Sequence, residues 1–198
     1  MFISYQEYEE NLGKVLRLIR SAEVKSGRPV DSVTLLPVTK NHPVEAAHYA
    51  FRSGLCSVGE NRVQEALSKM GDAGSELKWE LIGPLQSNKA KKVAECFDRV
   101  QSVDRPKIAM ALQKHASDAG RILRILLQIN AGADPNKSGA SIDEASSLME
   151  CVSAQPNLKI DGLMTIAPLG DDPQVARTCF AALRKCRDRL ELSLGFPC

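Results

Sequence analysis

The sequence predicts an α/β protein built on a parallel β-sheet. Short apolar runs alternate with stretches in which apolar residues recur every three or four positions, the spacing of an amphipathic helix. Successive apolar runs begin 21 to 36 residues apart, which suits a strand, a turn, a helix and a second turn. Strands that alternate with helices in this way indicate βαβ units, and therefore a parallel sheet.

A leading helix is predicted over residues 4–26. Ser4 and Glu7 have the spacing of a capping box at its start. The apolar residues between Leu12 and Ile19 then form one stripe at helical spacing. Gly27 follows the helix and marks its end.

Seven strands are predicted after this helix. They are the apolar runs Val33–Val38, Cys56–Gly59, Lys78–Ile82, Arg99–Val103, Ile122–Ile129, Leu158–Ile166 and Leu190–Leu194. The intervening helices have clear start signals, among them a second capping box at Ser141 and Glu144 and a helix start at Asp172 and Pro173. No boundary in composition divides the chain, so we expect a single domain over residues 1–198.

Two parallel architectures fit this pattern. A doubly wound sheet accepts five to seven strands, whereas a (β/α)8 barrel needs eight strands and about 250 residues. Counting alone therefore favours the doubly wound sheet. No glycine-rich fingerprint follows the first strand and no GxxxxGK[ST] motif occurs, which argues against the nucleotide-binding forms of that fold.

Composition excludes several classes of protein. The chain has 26 basic and 24 acidic residues, a net charge of +2, so neither nucleic acid nor an anionic membrane is an expected partner. No apolar run approaches the roughly 20 residues of a membrane span, and the acidic N-terminus MFISYQEYEE does not resemble a secretion signal. The six cysteines form no CxxC pair and there are only three histidines. We therefore expect reduced cysteines in a cytoplasmic protein without a metal site.

The predicted carboxyl ends of the strands, where parallel α/β proteins place their chemistry, are polar. Lys40 directly follows the apolar run VTLLPV. Partial desolvation there would leave some of its amine neutral and able to attack an aldehyde, although the spacing alone favours an exposed lysine in a turn. Asn61 suits either the pocket or a helix N-cap. Glu60 either orients a nearby lysine or is simply solvated.

Seven segments in this order carry a resemblance to a known family. They are LLPVTKNHP at 35–43, GENRVQEA at 59–66, WELIGPLQSNKAK at 79–91, VQSVDR at 100–105, LLQIN at 126–130, NKSG at 136–139 and GLMTI at 162–166. In combination they resemble the pyridoxal phosphate (PLP) homeostasis protein family over nearly the whole chain. Each segment alone would be a weak signal.

The resemblance implies a TIM-type (β/α)8 PLP-binding barrel like the N-terminal domain of alanine racemase, and it replaces the doubly wound sheet as the predicted fold. It implies that Lys40 holds PLP as a Schiff base (an imine) and that Asn61 lies beside the cofactor. The family holds PLP and influences its supply inside the cell, without firm catalytic turnover. We therefore expect a carrier rather than an enzyme, with no catalytic residue.

Three further cofactor-binding candidates are weaker. Lys137, in the NKSG loop, could receive PLP transiently or be an ordinary loop lysine. Met164 and Ser193 line the pocket in this reading, and both also suit packing roles. We expect PLP-dependent apo-enzymes as candidate partners and a monomeric state.

The resemblance weakens at the C-terminus. In the family the LSLG segment leads into another helix and a last strand, whereas here Phe196, Pro197 and Cys198 follow it. We therefore expect a barrel with seven recognisable strands that lacks the last strand and helices. Such a barrel has unpaired edges and is expected to bind PLP less tightly than a chain extended by that strand.

Two other functions stay open. A PLP-dependent racemase needs an acid or base on the face of the cofactor opposite the lysine, and Tyr5, Tyr8 and Tyr49 are not at predicted strand ends. Alanine racemisation lost in Lys40→Ala would favour that enzyme. The other alternative is a barrel that has lost cofactor binding, which the absence of any PLP adduct would favour.

Overall fold

The computed structural model describes residues 3–195 and has five strands and seven α-helices in that part of the chain. The strands are β1 (Ser57–Glu60), β2 (Lys78–Leu81), β3 (Arg99–Val103), β4 (Leu123–Gln128) and β5 (Leu158–Met164). The helices are α1 (Tyr5–Lys25), α2 (Glu45–Arg52), α3 (Val63–Ala73), α4 (Ala90–Cys96), α5 (Pro106–Asp118), α6 (Ala145–Ser153) and α7 (Pro173–Leu194). A 3-10 turn over Ser87–Lys89 precedes α4.

The strands form a sheet in the order of the chain, β1-β2-β3-β4-β5, and the registered pairs are parallel. The prediction of a parallel α/β protein is therefore confirmed. A doubly wound sheet reverses its strand order at a switch point, and this sheet shows no reversal. The preference based on counting strands was wrong, because counting carries no information about strand order.

Contacts divide the chain into two compact units. The first unit comprises Met1–Glu60 and Gln64–Trp79, and the second comprises Asn61–Val63 and Glu80–Cys198. The division passes through β2, whose first two residues belong to the first unit.

In the first unit, α1 begins as predicted. Ser4 Oγ accepts a hydrogen bond from the Glu7 N–H (3.2 Å), and Glu7 Oε2 accepts one from the Ser4 N–H (2.8 Å). This reciprocal capping satisfies two N–H groups that the helix leaves without intrahelical partners. Near the other end, the buried Glu23 accepts from the Val33 N–H (2.7 Å), which ties the following loop to α1.

In the second unit, β4 and β5 are registered over six residue pairs. Buried apolar side chains come from the strands and from the helices packed on them. They include Val100, Val103, Ile108, Leu112, Leu123, Ile125, Leu127, Ile129, Met149 and Val152. The capping box at Ser141 and Glu144 is present, as predicted.

The first predicted strand, Val33–Val38, is not a strand. Only Val38 pairs, in an isolated parallel bridge with Gly59. Pro37 within the run has no N–H to donate to a ladder, and residues 31–34 are exposed. The predicted run contains the residue that pairs, Val38, but the prediction overestimated the length of the pairing.

The last predicted strand, Leu190–Leu194, is also wrong, because these residues form the end of α7. That 22-residue helix begins at the predicted Asp172-Pro173 start and ends at Gly195, which has a left-handed conformation (φ 68°). Among the side chains of α7 that the structure describes, Cys179, Cys186 and Leu190 are buried, at helical spacing. The structure describes nothing beyond residue 195, so Phe196, Pro197 and Cys198 lie outside it.

Within residues 3–195, no helix is long and apolar enough to cross a membrane. The same residues contain no group of three or more potential metal ligands. Their cysteines, at positions 56, 96, 151, 179 and 186, are free thiols.

Candidate functional site

Lys40 lies in the first unit, two residues beyond the parallel bridge at Val38. The Thr39 N–H donates to the Gly59 carbonyl (3.0 Å), and the Gly59 N–H donates to the Pro37 carbonyl (2.8 Å). The chain that leads into Lys40 is therefore anchored as a strand would be, although it pairs at a single position. The Lys40 side chain itself is exposed, so the expected desolvation is not observed.

A buried lysine contacts the backbone next to Lys40. Lys69, on α3, is 7% exposed, and its ammonium donates three hydrogen bonds. The acceptors are the Thr39 carbonyl (2.9 Å), Glu60 Oε1 (2.7 Å) and Glu65 Oε1 (2.8 Å). Three acceptors match the three N–H donors of an ammonium group. We call Lys69, Glu60, Glu65 and Thr39 the Lys69 cluster.

The Lys69 side chain is held in its charged form. Burial disfavours the ammonium, but the hydrogen bonds and charges of Glu60 and Glu65 outweigh that effect and raise the pKa of Lys69. Glu60 is fully buried, and its Oε1 also accepts a hydrogen bond from Thr39 Oγ1 (2.7 Å). Its Oε2 has no hydrogen-bond partner among the described residues.

The residue after Lys40 is anchored to the same cluster. The Asn41 N–H donates to Glu65 Oε1 (2.6 Å). Asn41 has φ 60°, a left-handed conformation that asparagine tolerates better than most residues with a side chain. The backbone therefore turns directly after Lys40 and is held there by a charge-assisted hydrogen bond.

Sequence reasoning found part of this cluster. Glu60 was weighed as either orienting a lysine or solvated; it is buried and binds Lys69. Glu65 and Lys69 were missed, although they are four residues apart on one predicted helix, a spacing that brings opposite charges together. The burial of Lys69 could not be predicted, because it depends on the packing of α3 against the Thr39 segment.

In the second unit, the segment at Asn61 lies against the chain that follows β2. A Cβ atom added to Gly83 would lie 2.2 Å from the Asn61 carbonyl oxygen. The Gly83 carbonyl in turn accepts a hydrogen bond from the buried Ser102 Oγ (2.6 Å), on β3. The glycine of the IGPLQSNK segment thus permits a backbone approach that no other residue would allow.

Lys137 lies in the loop after β4 and is half-buried. Its N–H donates to the Asp134 carbonyl (3.1 Å). Gly139 in the same loop has φ 131°, and an added Cβ would lie 2.6 Å from the Asn130 nitrogen. The NKSG loop is therefore folded closely onto the end of β4.

The other two candidates differ in their surroundings. Met164 is the last residue of β5, is half-buried, and its carbonyl accepts a hydrogen bond from the Ile129 N–H (2.8 Å). Ser193 lies in the last turn of α7 and is exposed. The sequence placed Ser193 in a predicted strand, and the structure places it in a helix instead. Lys40 belongs to the first unit, and the four other candidates belong to the second.

A ladder of charged side chains crosses four strands of the second unit, and sequence reasoning missed it. Arg99 on β3 donates two hydrogen bonds to Glu80 on β2 (2.8 and 2.6 Å). Asp161 on β5 lies 3.5 Å from Arg99 and accepts from Arg124 on β4 (2.7 Å). Burial opposes the charge of Arg99, but the hydrogen bonds to Glu80 prevail and raise its pKa. The ladder therefore links neighbouring strands of the second unit through charged side chains.

Each unit has a cavity. The first, of about 430 Å3, is lined by Tyr8, Val38, Thr39, Asn41 and neighbouring residues. The hydroxyl of Tyr8 is buried without a hydrogen-bond partner in the described part of the chain, and burial raises its pKa. The second, of about 360 Å3, is lined by Gly132 and Pro168 and by the first two turns of α7.

Comparison with known proteins defines the fold. Residues 19–198 match the family described as alanine racemase, N-terminal domain. An alanine racemase structure from Clostridium difficile 630 superposes with a TM-score of 0.72 at 14% identity, covering 90% of this chain and 47% of that one. This likeness shows the fold alone, and it confirms the TIM-type barrel class that the sequence resemblance implied.

Relatives of higher sequence identity define the family. A protein of Pseudomonas aeruginosa named pyridoxal phosphate homeostasis protein is 40% identical over 187 residues, which is 94% of this chain and 80% of that one. The structure of PipY from Synechococcus elongatus PCC7942 with PLP bound has a TM-score of 0.76 at 35% identity, covering 89% and 82% of the two chains. The chain thus belongs to the pyridoxal phosphate homeostasis protein family.

Proposed function

We propose that this protein binds pyridoxal phosphate at Lys40 and takes part in PLP homeostasis. Its membership of the family supports the proposal, as does the relative PipY, whose structure contains PLP. The observation that carries it is the state of Lys40. Both neighbouring peptide groups are hydrogen-bonded to fixed partners, whereas the lysine side chain is exposed.

This arrangement fits an aldehyde cofactor. When bound, PLP supplies an aldehyde for a covalent link to an amine and a ring that stabilises negative charge. Lys40 supplies the amine, and its anchored backbone limits the positions that the amine explores. A lysine held in an ion pair, such as Lys69, would be a poorer nucleophile toward the aldehyde, because its ammonium stays protonated. The residues present therefore fit the group.

The four other candidate residues have different proposed roles. We propose that Asn61 and Met164, at or just after strand ends, contact the cofactor, and that Lys137 receives it transiently. For Ser193 the exposed helical position offers no support beyond the original prediction. We further propose one PLP-binding domain over residues 1–198, since the family match includes residues from both units.

We propose a holding role rather than catalysis. Tyr5, Tyr8 and Tyr49 pack against one another, with ring centroids 5.1 to 6.2 Å apart. This packing of α1 on α2 gives the three rings a structural task, which supports the holding role. The free thiols of the described cysteines suit a cytoplasmic location. PLP-dependent apo-enzymes are proposed recipients, and the protein is proposed to be a monomer.

The test is chemical trapping. The purified chain is incubated with PLP and reduced with borohydride, and the labelled peptides are mapped by mass spectrometry. Condensation joins Lys40 Nζ to the aldehyde carbon and releases the aldehyde oxygen as water. The hydride then reduces this imine to a secondary amine, which does not hydrolyse. We expect one label per chain at Lys40, and none at that peptide in Lys40→Ala.

A matched control uses another exposed lysine. Lys91→Ala removes an exposed lysine of α4 and should leave the labelling at Lys40 unchanged. Similar labelling at many exposed lysines, or retention of one label per chain in Lys40→Ala, would overturn the proposal. Alanine racemisation that depends on Lys40 would overturn the holding role alone.

A further inference from the structure

We propose that Lys69 is a positioning residue for Lys40: through the Lys69 cluster it fixes the backbone on both sides of the reactive lysine. This inference deepens the proposed function and rests on it. Lys69 does not touch the cofactor in this proposal. It acts on the two peptide groups that flank Lys40.

The first contact is on the N-terminal side. Lys69 Nζ donates to the Thr39 carbonyl (2.9 Å), which is the oxygen of the peptide group that joins Thr39 to Lys40. The side chain of Thr39 is tied to Glu60 Oε1 (2.7 Å), the same oxygen that binds Lys69 (2.7 Å). The orientation of this peptide group therefore depends on the ammonium and the carboxylate, together with the His42 N–H, which donates to the same carbonyl (3.1 Å).

The second contact is on the C-terminal side and is indirect. Lys69 binds Glu65 Oε1 (2.8 Å), and the same oxygen accepts the Asn41 N–H (2.6 Å). That N–H belongs to the peptide group that joins Lys40 to Asn41. One ammonium thus orients the groups on both sides of Lys40, and the left-handed Asn41 is held in a conformation that it would otherwise adopt less often.

The burial of the cluster makes the arrangement stiff. Lys69 and Glu60 are 7% and 0% exposed, so water cannot easily replace the lost partner of either group. Removing one member of a buried charged set leaves the others uncompensated. Without Lys69, two carboxylates would face each other below Thr39, and the segment would have to move to let water reach them.

A purely structural role does not explain the choice of acceptors. Lys69 needs acceptors of any kind to be buried, and Glu60 and Glu65 already supply two. The third acceptor is the carbonyl adjoining Lys40, and one of the two carboxylates binds the N–H on its other side. The cluster therefore converges on the two peptide groups of one residue, and that residue carries the exposed amine.

The experiment measures the rate of PLP trapping at Lys40 in Lys69→Met, a variant that keeps the length of the side chain and removes its charge. The rate is followed at saturating PLP, so that weaker binding does not contribute. A displacement of the reacting amine by about 1 Å can cost on the order of a hundredfold in rate. We expect the variant to react about ten- to a hundredfold more slowly at Lys40, with label spread to other lysines.

Two further variants separate positioning from general destabilisation. Arg99→Met removes one of the two arginines of the ladder in the second unit, and it should lower stability without changing the rate at Lys40. Lys69→Arg keeps a buried cation with several donors and should recover part of the rate. If Lys69→Met does not fold, Glu65→Ala replaces it, since it frees the Asn41 N–H while leaving the pair of Lys69 and Glu60 intact.

The outcomes are distinct. A folded Lys69→Met, or Glu65→Ala in its place, that reacts at Lys40 at the rate of the unmodified chain overturns the inference. An equal slowing in Arg99→Met overturns it as well, because the effect would then follow stability. Absence of specific labelling in the unmodified chain instead overturns the proposed function, from which the inference starts.

Discussion

At the scale of single residues, the close approach at Gly83 is decided by the absence of a side chain. The space where a Cβ would lie is occupied by the Asn61 backbone, with its carbonyl oxygen 2.2 Å away. A backbone cannot rotate out of the way as a flexible side chain can. The segment that contains Asn61 is therefore positioned by a glycine that contributes no contact of its own.

We expect Gly83→Ala to destabilise the protein by about 1–3 kcal/mol, the usual cost of adding atoms to a packed interior. Urea unfolding measures this loss, and PLP trapping reports whether the Asn61 segment has moved. The control is Gly71→Ala on α3, where an added Cβ would meet nothing within 4 Å. Alanine there should stabilise the helix by roughly 0.5–1 kcal/mol. Equal stability of the two variants would contradict this account.

At the scale of elements, α1 is connected to the loop after it through Glu23. Its carboxylate accepts the Val33 N–H (2.7 Å) and the Asp31 N–H (3.1 Å). The Val33 hydrogen bond, which is stronger when the carboxyl group is ionised, is the main cause that lowers the pKa of Glu23 below 4.5. Asp31 has φ 61°, so the loop adopts a left-handed conformation at the point where Glu23 holds it.

This connection predicts a dependence on pH. Because the folded pKa of Glu23 is depressed, its contribution to the free energy of unfolding is present above about pH 4.5. It is lost as the pH falls through the lower folded pKa. Glu23→Gln should therefore be less stable than the unmodified chain at pH 7, with a difference that shrinks toward pH 3. Urea unfolding across this range measures it.

The control for that experiment is Glu9→Gln, a change at an exposed position of the same helix. It should alter stability little at any pH, since exposed substitutions outside special contacts usually have small effects. A constant difference between Glu23→Gln and the unmodified chain from pH 7 to pH 3 would count against the linkage.

At the scale of the whole molecule, the sheet order β1-β2-β3-β4-β5 is what distinguishes a barrel-type fold from a doubly wound one. Stability is unevenly distributed along this sheet. β4 is paired with β3 on one side and with β5 on the other, and its Leu123, Ile125 and Leu127 are fully buried. The Val38 bridge, in contrast, is a single isolated pairing.

Hydrogen–deuterium exchange should follow this distribution. We expect the amides of β4 to exchange most slowly, because their exposure requires the opening of two strand pairs and a buried core. The amides of residues 34–36, which precede the Val38 bridge and lie outside any strand, should exchange much faster. Equal protection of residues 34–36 and β4 would mean that the first predicted strand forms in solution after all.

Several elements were predictable because their signals are local. β3 occupies Arg99–Val103 as predicted, and α1 differs from its prediction by one residue at each end. The capping boxes at Ser4 and Ser141 depend on side chains three residues from their partners. Lys40 stood out because it follows an apolar run, and the resemblance to a known family then attached a cofactor to it.

By itself, the sequence determined the alternation of helices and strands, the helix starts and the residue proposed to hold PLP, since each depends on neighbours a few positions away. Tertiary structure alone decided that 33–38 pairs at one position, that 190–194 continues α7, and that Lys69 is buried below Lys40. These outcomes depend on contacts between residues distant in the chain. The elements that pack against a backbone carbonyl or a lysine determine whether it has a hydrogen-bond or ion-pair partner.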